Sequence, residues 1–112
     1  MPTGNDSGDL FRAHVSEDGG EVTVALEGEL DLASVDEAKA AIRAGRERGD
    51  GAVVVDLRGL AFFGSVGLRS LVEVSQETTP SGRRLILVPN ANVRRLLDIA
   101  GVSERFDIRP ET

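Results

Sequence analysis

One serine lies in a segment whose residue types suit a reversible modification. Residues 62–68 read Phe-Phe-Gly-Ser-Val-Gly-Leu, so Ser65 has a glycine before it and another two positions after it. We expect Ser65 to be the N-cap of a helix, with both glycines exposed and leaving the hydroxyl open to a bulky partner. A helix N-terminus tolerates negative charge, so a phosphoryl group there would spare the fold and add about −1.5 to −2 charges. The alternative is that the hydroxyl only caps the helix, which is worth about 1 kcal/mol.

Three carboxylates form a second candidate group. Glu29 and Asp31 follow the second predicted strand, and Asp56 follows a strand that we expect to run parallel to it. Open α/β sheets place their sites at the carboxyl ends of parallel strands, so one hypothesis is acid–base chemistry by these side chains. The other is a solvated acidic loop in which Asp31 caps the following helix.

The sequence has few residues that could support thiol, metal-dependent or serine-nucleophile catalysis. The chain has no cysteine, which excludes disulfides, thiol catalysis and cysteine-ligated zinc. Its one histidine, His14, falls on the polar face of the first predicted strand, whereas a metal site needs a cluster of ligands. Residues 59–67 contain glycines but no lysine for a phosphate-binding loop, and Ser65 is not in a nucleophile-elbow motif. We therefore expect no enzyme activity, no metal and no cofactor.

Length and composition indicate one globular domain. The 112 residues are 40% apolar and 29% charged, and 19 acidic against 13 basic side chains give a net charge of −6. An acidic surface repels phosphate backbones, so we expect no nucleic-acid partner. No apolar run approaches the roughly 20 residues of a membrane span.

The N-terminal residues differ in character from the rest of the chain. Residues 1–9 are polar and acidic, without the apolar core of a signal peptide. We expect a flexible tail over residues 1–9, a single domain over residues 10–112 and a cytoplasmic location.

Hydrophobic periodicity predicts the order β-β-α-β-α-β-α, followed by a short further strand. Residues 11–16 and 22–27 alternate apolar and polar side chains, and residues 18–20 between them favour a hairpin turn. Residues 52–55 are a continuous apolar run, typical of a strand covered on both faces, and residues 56–59 are expected to leave that strand. Helices between consecutive strands imply parallel pairing with right-handed crossovers. The fold class is therefore α/β, with an open, mixed sheet of four to five strands and flanking helices.

Local signals mark where the elements begin and end. Ser34 and Glu37 fit a capping box at the start of the first helix, with Asp31 as a rival cap. Gly101 follows the third helix, where a left-handed C-terminal cap is expected. Residues 106–108 are expected to form the last edge strand, which pairs either within the chain or at the edge of a homodimer.

The order and spacing of several segments resemble the STAS domain family, in particular the bacterial anti-sigma factor antagonists. The resemblance runs from about residue 21 to residue 108 and is carried by residues 28–31, 55–57, 62–68, 93–97 and 100–102. It implies a four- or five-stranded sheet with flanking helices and no catalysis by the domain itself.

The resemblance also implies a mechanism of partner switching. Antagonists of this type bind an anti-sigma factor that is also a serine kinase, and so release the sigma factor. The kinase phosphorylates a serine at the start of the second helix, which abolishes binding, and a PP2C-type phosphatase reverses the modification. The phosphorylated serine maps onto Ser65. The implied partner-binding residues are Glu29, Asp31, Gly64, Ser65, Val66, Gly67 and Arg69.

The chain departs from the family pattern on both sides of Ser65. The usual motif has Asp before the phosphorylated serine and Ser or Thr after it, whereas this chain has Gly64 and Val66. This departure favours a second interpretation, a STAS scaffold or a subunit of a signalling or transport assembly that is never phosphorylated. A third interpretation, a small enzyme using Glu29, Asp31 and Asp56, lacks a second catalytic constellation and a cofactor motif.

Overall fold

A five-stranded mixed sheet organises the described part of the chain, which in this computed structural model is residues 11–109. The flexible tail predicted for residues 1–9 lies outside the described residues. The elements are β1 (Phe11–Asp18), β2 (Glu21–Leu30), α1 (Val35–Arg46), β3 (Val53–Phe63), α2 (Ser65–Thr78), β4 (Leu85–Val88), α3 (Ala91–Ile99) and β5 (Asp107–Ile108). Short 3₁₀ turns at Thr79–Ser81 and Ser103–Arg105 follow α2 and α3. None of these helices is long and apolar enough to cross a membrane.

The strands lie side by side in chain order, β1-β2-β3-β4-β5. β1 and β2 form an antiparallel hairpin whose turn contains Gly19 and Gly20, both at positive φ, and every later neighbour is parallel. β5 pairs with β4 within the chain. Of the two pairings that the sequence left open, within the chain or at the edge of a homodimer, the structure shows the first. The predicted α/β class, the mixed sheet and the order of the elements along the chain are confirmed.

The three helices pack on one face of the sheet, because each parallel crossover is right-handed and moves one strand further in the same direction. The main core combines alternate strand residues such as Val24, Val55 and Leu87 with helix residues such as Ile42 and Leu97. On the other face a separate cluster contains Val54, Ile86 and Val88. Val54 is 3% exposed, so β3 is buried on both faces as predicted.

Two strands extend further than predicted, and their extension creates the candidate site. β2 continues to Leu30 because Gly28, at φ +95°, absorbs a register shift in the ladder rather than ending it. β3 pairs with β4 only over residues 53–56, but it continues along β2 to Phe63. The expectation that residues 56–59 leave the strand was wrong, and residues 57–63 project beyond the end of β4.

The ends of α1 and α3 differ in how well the sequence predicted them. Ser34 is the N-cap of α1, but its side chain makes no capping hydrogen bond, so the predicted capping box does not form. At the end of α3, Gly101 has φ +73°, Gly101 N–H donates to the Asp98 carbonyl and Val102 N–H to the Leu97 carbonyl. This is the predicted left-handed cap, in the Schellman arrangement.

Candidate functional site

The parallel ends of β2 and β3 bring two predicted site segments together. Glu29 lies opposite Phe62 and Leu30 opposite Phe63, so the loop that contains Asp31 lies beside the start of α2. Neighbouring strands are about 4.8 Å apart, which places Glu29 and Asp31 in the same surface region as Ser65. Both residues are half-buried.

Ser65 is the first residue of α2 and is exposed. The prediction that Ser65 is the N-cap was wrong, because Gly64 has the extended N-cap conformation (φ −112°, ψ −168°) and offers no side-chain cap. The first helical hydrogen bond runs from Leu68 N–H to the Gly64 carbonyl. The amide N–H groups of residues 65–67 therefore point out of the helix end without intrahelical acceptors.

The two glycines around Ser65 have different environments, although both were expected to be exposed. Gly67 is buried, and a Cβ there would lie 3.0 Å from side-chain atoms of Leu30 and Phe63. That glycine lets α2 approach the sheet closely beneath Ser65, so the expectation that it is exposed was wrong. Gly64 is half-buried, and its hypothetical Cβ would lie 3.2 Å from ring atoms of Phe62.

The remaining two predicted partner-binding residues, Val66 and Arg69, also differ in their exposure to solvent. Val66 is half-buried and packs against the main core. Arg69 is exposed one helical turn after Ser65, and no described residue forms an ion pair with it. Residues four apart lie on the same helix face, so Arg69 is the cation next to the Ser65 hydroxyl along α2.

One large apolar side chain near Ser65, that of Phe62, was missed as a site residue. Leu32, Phe62 and Ile99 are the exposed large hydrophobic residues in the described part of the chain, at 78%, 51% and 71% exposure. The signal for Phe62 was present in the sequence: consecutive strand residues point to opposite faces, so Phe62 and Phe63 cannot both enter the core. Phe63 packs against the core, and Phe62 faces outward over Gly64.

A shallow groove of about 280 Å³ continues from Phe62 to α3. We call it the Phe62 groove; its lining residues are Ala61, Phe62, Phe63, Asn92, Arg95, Leu96 and Ile99. It is formed because the projecting end of β3 has no β4 residue beside it, and α3 occupies that side instead.

A buried serine holds the loop after β2 in place. Ser34 is 6% exposed, and its Oγ donates to the Glu29 carbonyl at 2.7 Å and accepts from Asp31 N–H at 3.1 Å. Asp31 Oδ1 accepts from Ala33 N–H at 3.0 Å. Both polar side chains that were proposed as helix caps instead fix the conformation of this loop.

Asp56 does not join Glu29 and Asp31. Because β3 continues past it, Asp56 pairs with Ala25, four residues or about 13 Å along β2 from Glu29. Arg58 donates to Asp56 from its backbone N–H and from both Nε and Nη2, at 2.9–3.0 Å. The side-chain hydrogen bonds from Arg58 lower the pKa of Asp56 below its ordinary 3.8. The three-carboxylate site is therefore not assembled.

Potential metal ligands do not cluster within residues 11–109. No group of three potential ligands from His, Asp and Glu side chains comes together in that range. His14 is exposed on β1, with its side chain on the polar face as predicted.

Comparison with known proteins identifies the family. A model of the STAS domain family matches residues 12–112. No curated protein sequence matches the chain. The chain is similar to the crystal structure of an anti-sigma factor antagonist from Mycobacterium paratuberculosis, with 26% identity, a TM-score of 0.76, and coverage of 89% of this chain and 86% of that one.

Two further solved structures share the fold at lower identity. One is an anti-sigma-factor antagonist (STAS) domain protein from Planctomyces limnophilus, with 18% identity, a TM-score of 0.77, and coverage of 89% of this chain and 90% of that one. The other is the Bacillus cell fate determinant SpoIIAA in its phosphorylated form, with 20% identity, a TM-score of 0.69, and coverage of 90% and 92%. The sequence resemblance is thus confirmed at the level of fold and family, and the chain belongs to the STAS domain family.

Proposed function

We propose that this protein is an anti-sigma factor antagonist of the cytoplasm that is switched at Ser65. In its unmodified form it binds an anti-sigma factor with serine kinase activity, and the sigma factor is released. Phosphorylation of Ser65 by that kinase ends the binding, and a PP2C-type phosphatase restores it. The protein itself acts by binding, without catalysis. The observation that carries the proposal is an exposed serine at the first position of a helix that has no side-chain cap.

The local chemistry supports this role for Ser65. The hydroxyl forms no hydrogen bond with a described residue, so a phosphoryl group would displace no such hydrogen bond of that oxygen. The unsatisfied amide groups of residues 65–67 and the nearby guanidinium of Arg69 favour an anion at this position. Modification would therefore leave the fold intact while changing the charge of the surface that a partner meets.

The relatives add independent support. The similar protein from Mycobacterium paratuberculosis is an anti-sigma factor antagonist. The similar Bacillus protein, SpoIIAA, has been solved in a phosphorylated form. We extend that activity and that modification to the present chain because its fold is the same and its exposed serine begins α2.

The test combines phosphorylation and binding measurements. The purified protein is incubated with ATP and each candidate anti-sigma serine kinase from the source organism, and its intact mass is measured. We expect one added phosphoryl group on the wild type and on Ser16→Ala, an exposed-serine control, and none on Ser65→Ala. Ser65→Asp is expected to weaken binding to the kinase by at least about tenfold. Phosphorylation that persists in Ser65→Ala, or undiminished binding of Ser65→Asp, contradicts the switch.

A scaffold role without phosphorylation is the second candidate, and Gly64 favours it. The family's usual acidic residue is missing there, and the Phe62 ring covers Gly64 on the side where that side chain would begin. A scaffold is expected to purify with large oligomers or transporter subunits, whereas an antagonist is expected to purify with a small ATP-binding kinase. The absence of any added phosphate, together with a large assembly, would support the scaffold.

A further inference from the structure

The Phe62 groove differs in charge from the chain as a whole. The chain has a net charge of −6, yet no carboxylate lines this groove and one arginine, Arg95, does. Arg95 is exposed and has no ion-pair partner among the described residues, whereas its neighbour Arg94 is paired with Asp98 at 3.2 Å. The groove therefore presents an unneutralised cation beside an apolar surface.

We propose that the Phe62 groove docks an acidic segment of the partner protein through a single large apolar side chain. That side chain packs between Phe62 and Ile99, and a carboxylate next to it in the segment pairs with Arg95. The inference rests on the proposed function in one respect, since it assigns the segment to the protein that acts on Ser65.

Size and residue type support this occupant. At about 280 Å³ the groove is at the lower limit of the roughly 300–1,000 Å³ typical of small-molecule sites, so it suits one side chain better than a cofactor. Phenylalanine and arginine are among the residue types enriched at the centres of protein–protein interfaces. Phe62 and Ile99 are both more than half exposed, so a docked side chain removes a large apolar area from water.

The position of Phe62 links docking to Ser65. Its ring lies over Gly64, the residue immediately before Ser65, so a segment that packs on Phe62 lies close to the start of α2. A phosphoryl group on Ser65 then places negative charge next to an acidic segment. Repulsion between these like charges weakens docking, which gives phosphorylation a direct way to release the partner.

A selection on the folded, full-length protein tests the chemistry without needing the partner. A displayed library of random peptides is selected for binding, and one enriched peptide is synthesised for titration. We expect enriched peptides to contain one large apolar residue flanked by Asp or Glu. Phe62→Ala and Ile99→Ala are each expected to weaken that peptide about tenfold. Leu32→Ala removes an equally exposed apolar residue outside the groove and is expected to leave affinity unchanged.

Charge reversal provides the second arm. Arg95→Glu is expected to shift the selection towards Lys and Arg, whereas Arg48→Glu, an exposed arginine outside the groove, is expected to keep the acidic preference. Thermal unfolding of each variant verifies that it is folded. A selection with no charge preference, or peptides that still bind Phe62→Ala and Ile99→Ala, overturns the proposal. A wild-type dimer in sedimentation that Ile99→Ala disperses also overturns it, because the occupant is then a second copy.

The peptide selection and the kinase assay fail independently. If Ser65 is not phosphorylated but acidic peptides still bind the groove, the proposed function is wrong and the docking chemistry stands. If Ser65 is phosphorylated but the groove selects nothing, the proposed function stands and the docking site is wrong.

Discussion

The starts of α2 and α3 both contact the projecting end of β3, yet they are built in opposite ways. At α3, Asn90 Oδ1 accepts from Val93 N–H at 2.9 Å, and its Nδ2 donates to the Leu60 carbonyl on β3 at 2.9 Å. At α2, Gly64 has no side chain to cap the helix, and the Ser65 hydroxyl has no hydrogen-bond partner among the described residues. The start of α3 is capped by a side chain of the protein, whereas the start of α2 has no side-chain cap.

The two helix starts contribute in different ways: the capped start of α3 stabilises the fold, and the uncapped start of α2 lies in the candidate site. Asn90 caps α3 and also fixes the strand segment that leads to Phe62 and Phe63, so it supports the site without belonging to the surface around Ser65. A capped start at α2 would be more stable, but its amide groups would already be occupied. The proposed function places modification at the start of α2, which is the helix start with amide groups still free to bind an anion.

The largest expected effect on stability comes from removing the side-chain cap at the start of α3. Asn90→Ala removes the cap and leaves the Leu60 carbonyl without its side-chain donor, so we expect the free energy of unfolding to fall by about 2 kcal/mol. Ser65→Ala is expected to change it by less than about 0.5 kcal/mol. Urea denaturation of both variants measures the contrast. Asn92→Ala, at an exposed position in the first turn of α3, is the control and is expected to be neutral. Equal losses from Asn90→Ala and Ser65→Ala would break the comparison.

The buried serine of the β2–α1 loop provides an intermediate case. Ser34→Ala removes the hydrogen bonds to the Glu29 carbonyl and from Asp31 N–H, and we expect a loss of about 1 kcal/mol. Amide exchange at Asp31 is expected to accelerate, because its N–H loses its acceptor. The exposed Ser16→Ala is the matched control and is expected to leave both quantities unchanged. An unchanged exchange rate at Asp31 would show that the loop is held by other contacts.

Much of this architecture was predictable from periodicity, because the main core is built from elements whose apolar pattern is regular. The order of the elements along the chain, the three helices and the left-handed cap at Gly101 all follow from local signals of this kind. The length of β3 did not, because residues 56–59 contain Asp and Gly, which are both depleted in strands. Pairing with β2 across two register shifts overrides that local preference.

The site was predictable in its location but not in its details. Ser65 was chosen as a candidate because of its residue type, and the segment around Glu29 because it follows a strand, and the structure places the two segments side by side. Ser34 and Asn90 act by donating hydrogen bonds to the Glu29 and Leu60 carbonyls. Which backbone carbonyls are within reach depends on the folded path of the chain, so residue spacing in the sequence does not predict these contacts. Gly67 was misjudged because its burial depends on Leu30, which lies 37 positions earlier in the chain.

A smaller effect is expected from the ion pair beneath the Asn90 contact. Asp56 holds Arg58, whose carbonyl also accepts from Asn90 Nδ2 at 3.3 Å. Asp56→Asn keeps an oxygen for Arg58 N–H but removes the charge, and we expect a loss of about 0.5 kcal/mol at pH 7. Since the pKa of Asp56 is lowered in the folded protein, the ion pair stabilises the fold above the ordinary value of 3.8 and is lost as pH falls through the folded value.

Denaturation of wild type and Asp56→Asn from pH 7 to pH 2 measures this contribution. The difference between them is expected to be full at pH 7 and to shrink towards zero at the acid end. Asp50→Asn, at an exposed aspartate with no ion pair among the described residues, is the control for a general charge effect. A gap that widens in acid would mean that the charge of Asp56 opposes folding.

The smallest effect on stability is expected from adding a side-chain cap at the start of α2. Gly64 already has the extended backbone of an N-cap, so Gly64→Asp adds an acceptor for the free amides, and we expect a gain of a few tenths of a kcal/mol, about 0.3. The new Cβ would lie 3.2 Å from the tip of the Phe62 ring, a flexible side chain that is expected to swing aside. Gly64→Ala introduces the same Cβ without the acceptor, so it isolates the steric cost and is expected to destabilise. Denaturation gives the energies, and Phe62 ring shifts in NMR spectra report the movement. If Asp and Ala at position 64 behave alike, the amides of residues 65–67 do not respond to an anion, and the contrast between the two helix starts is one of shape alone.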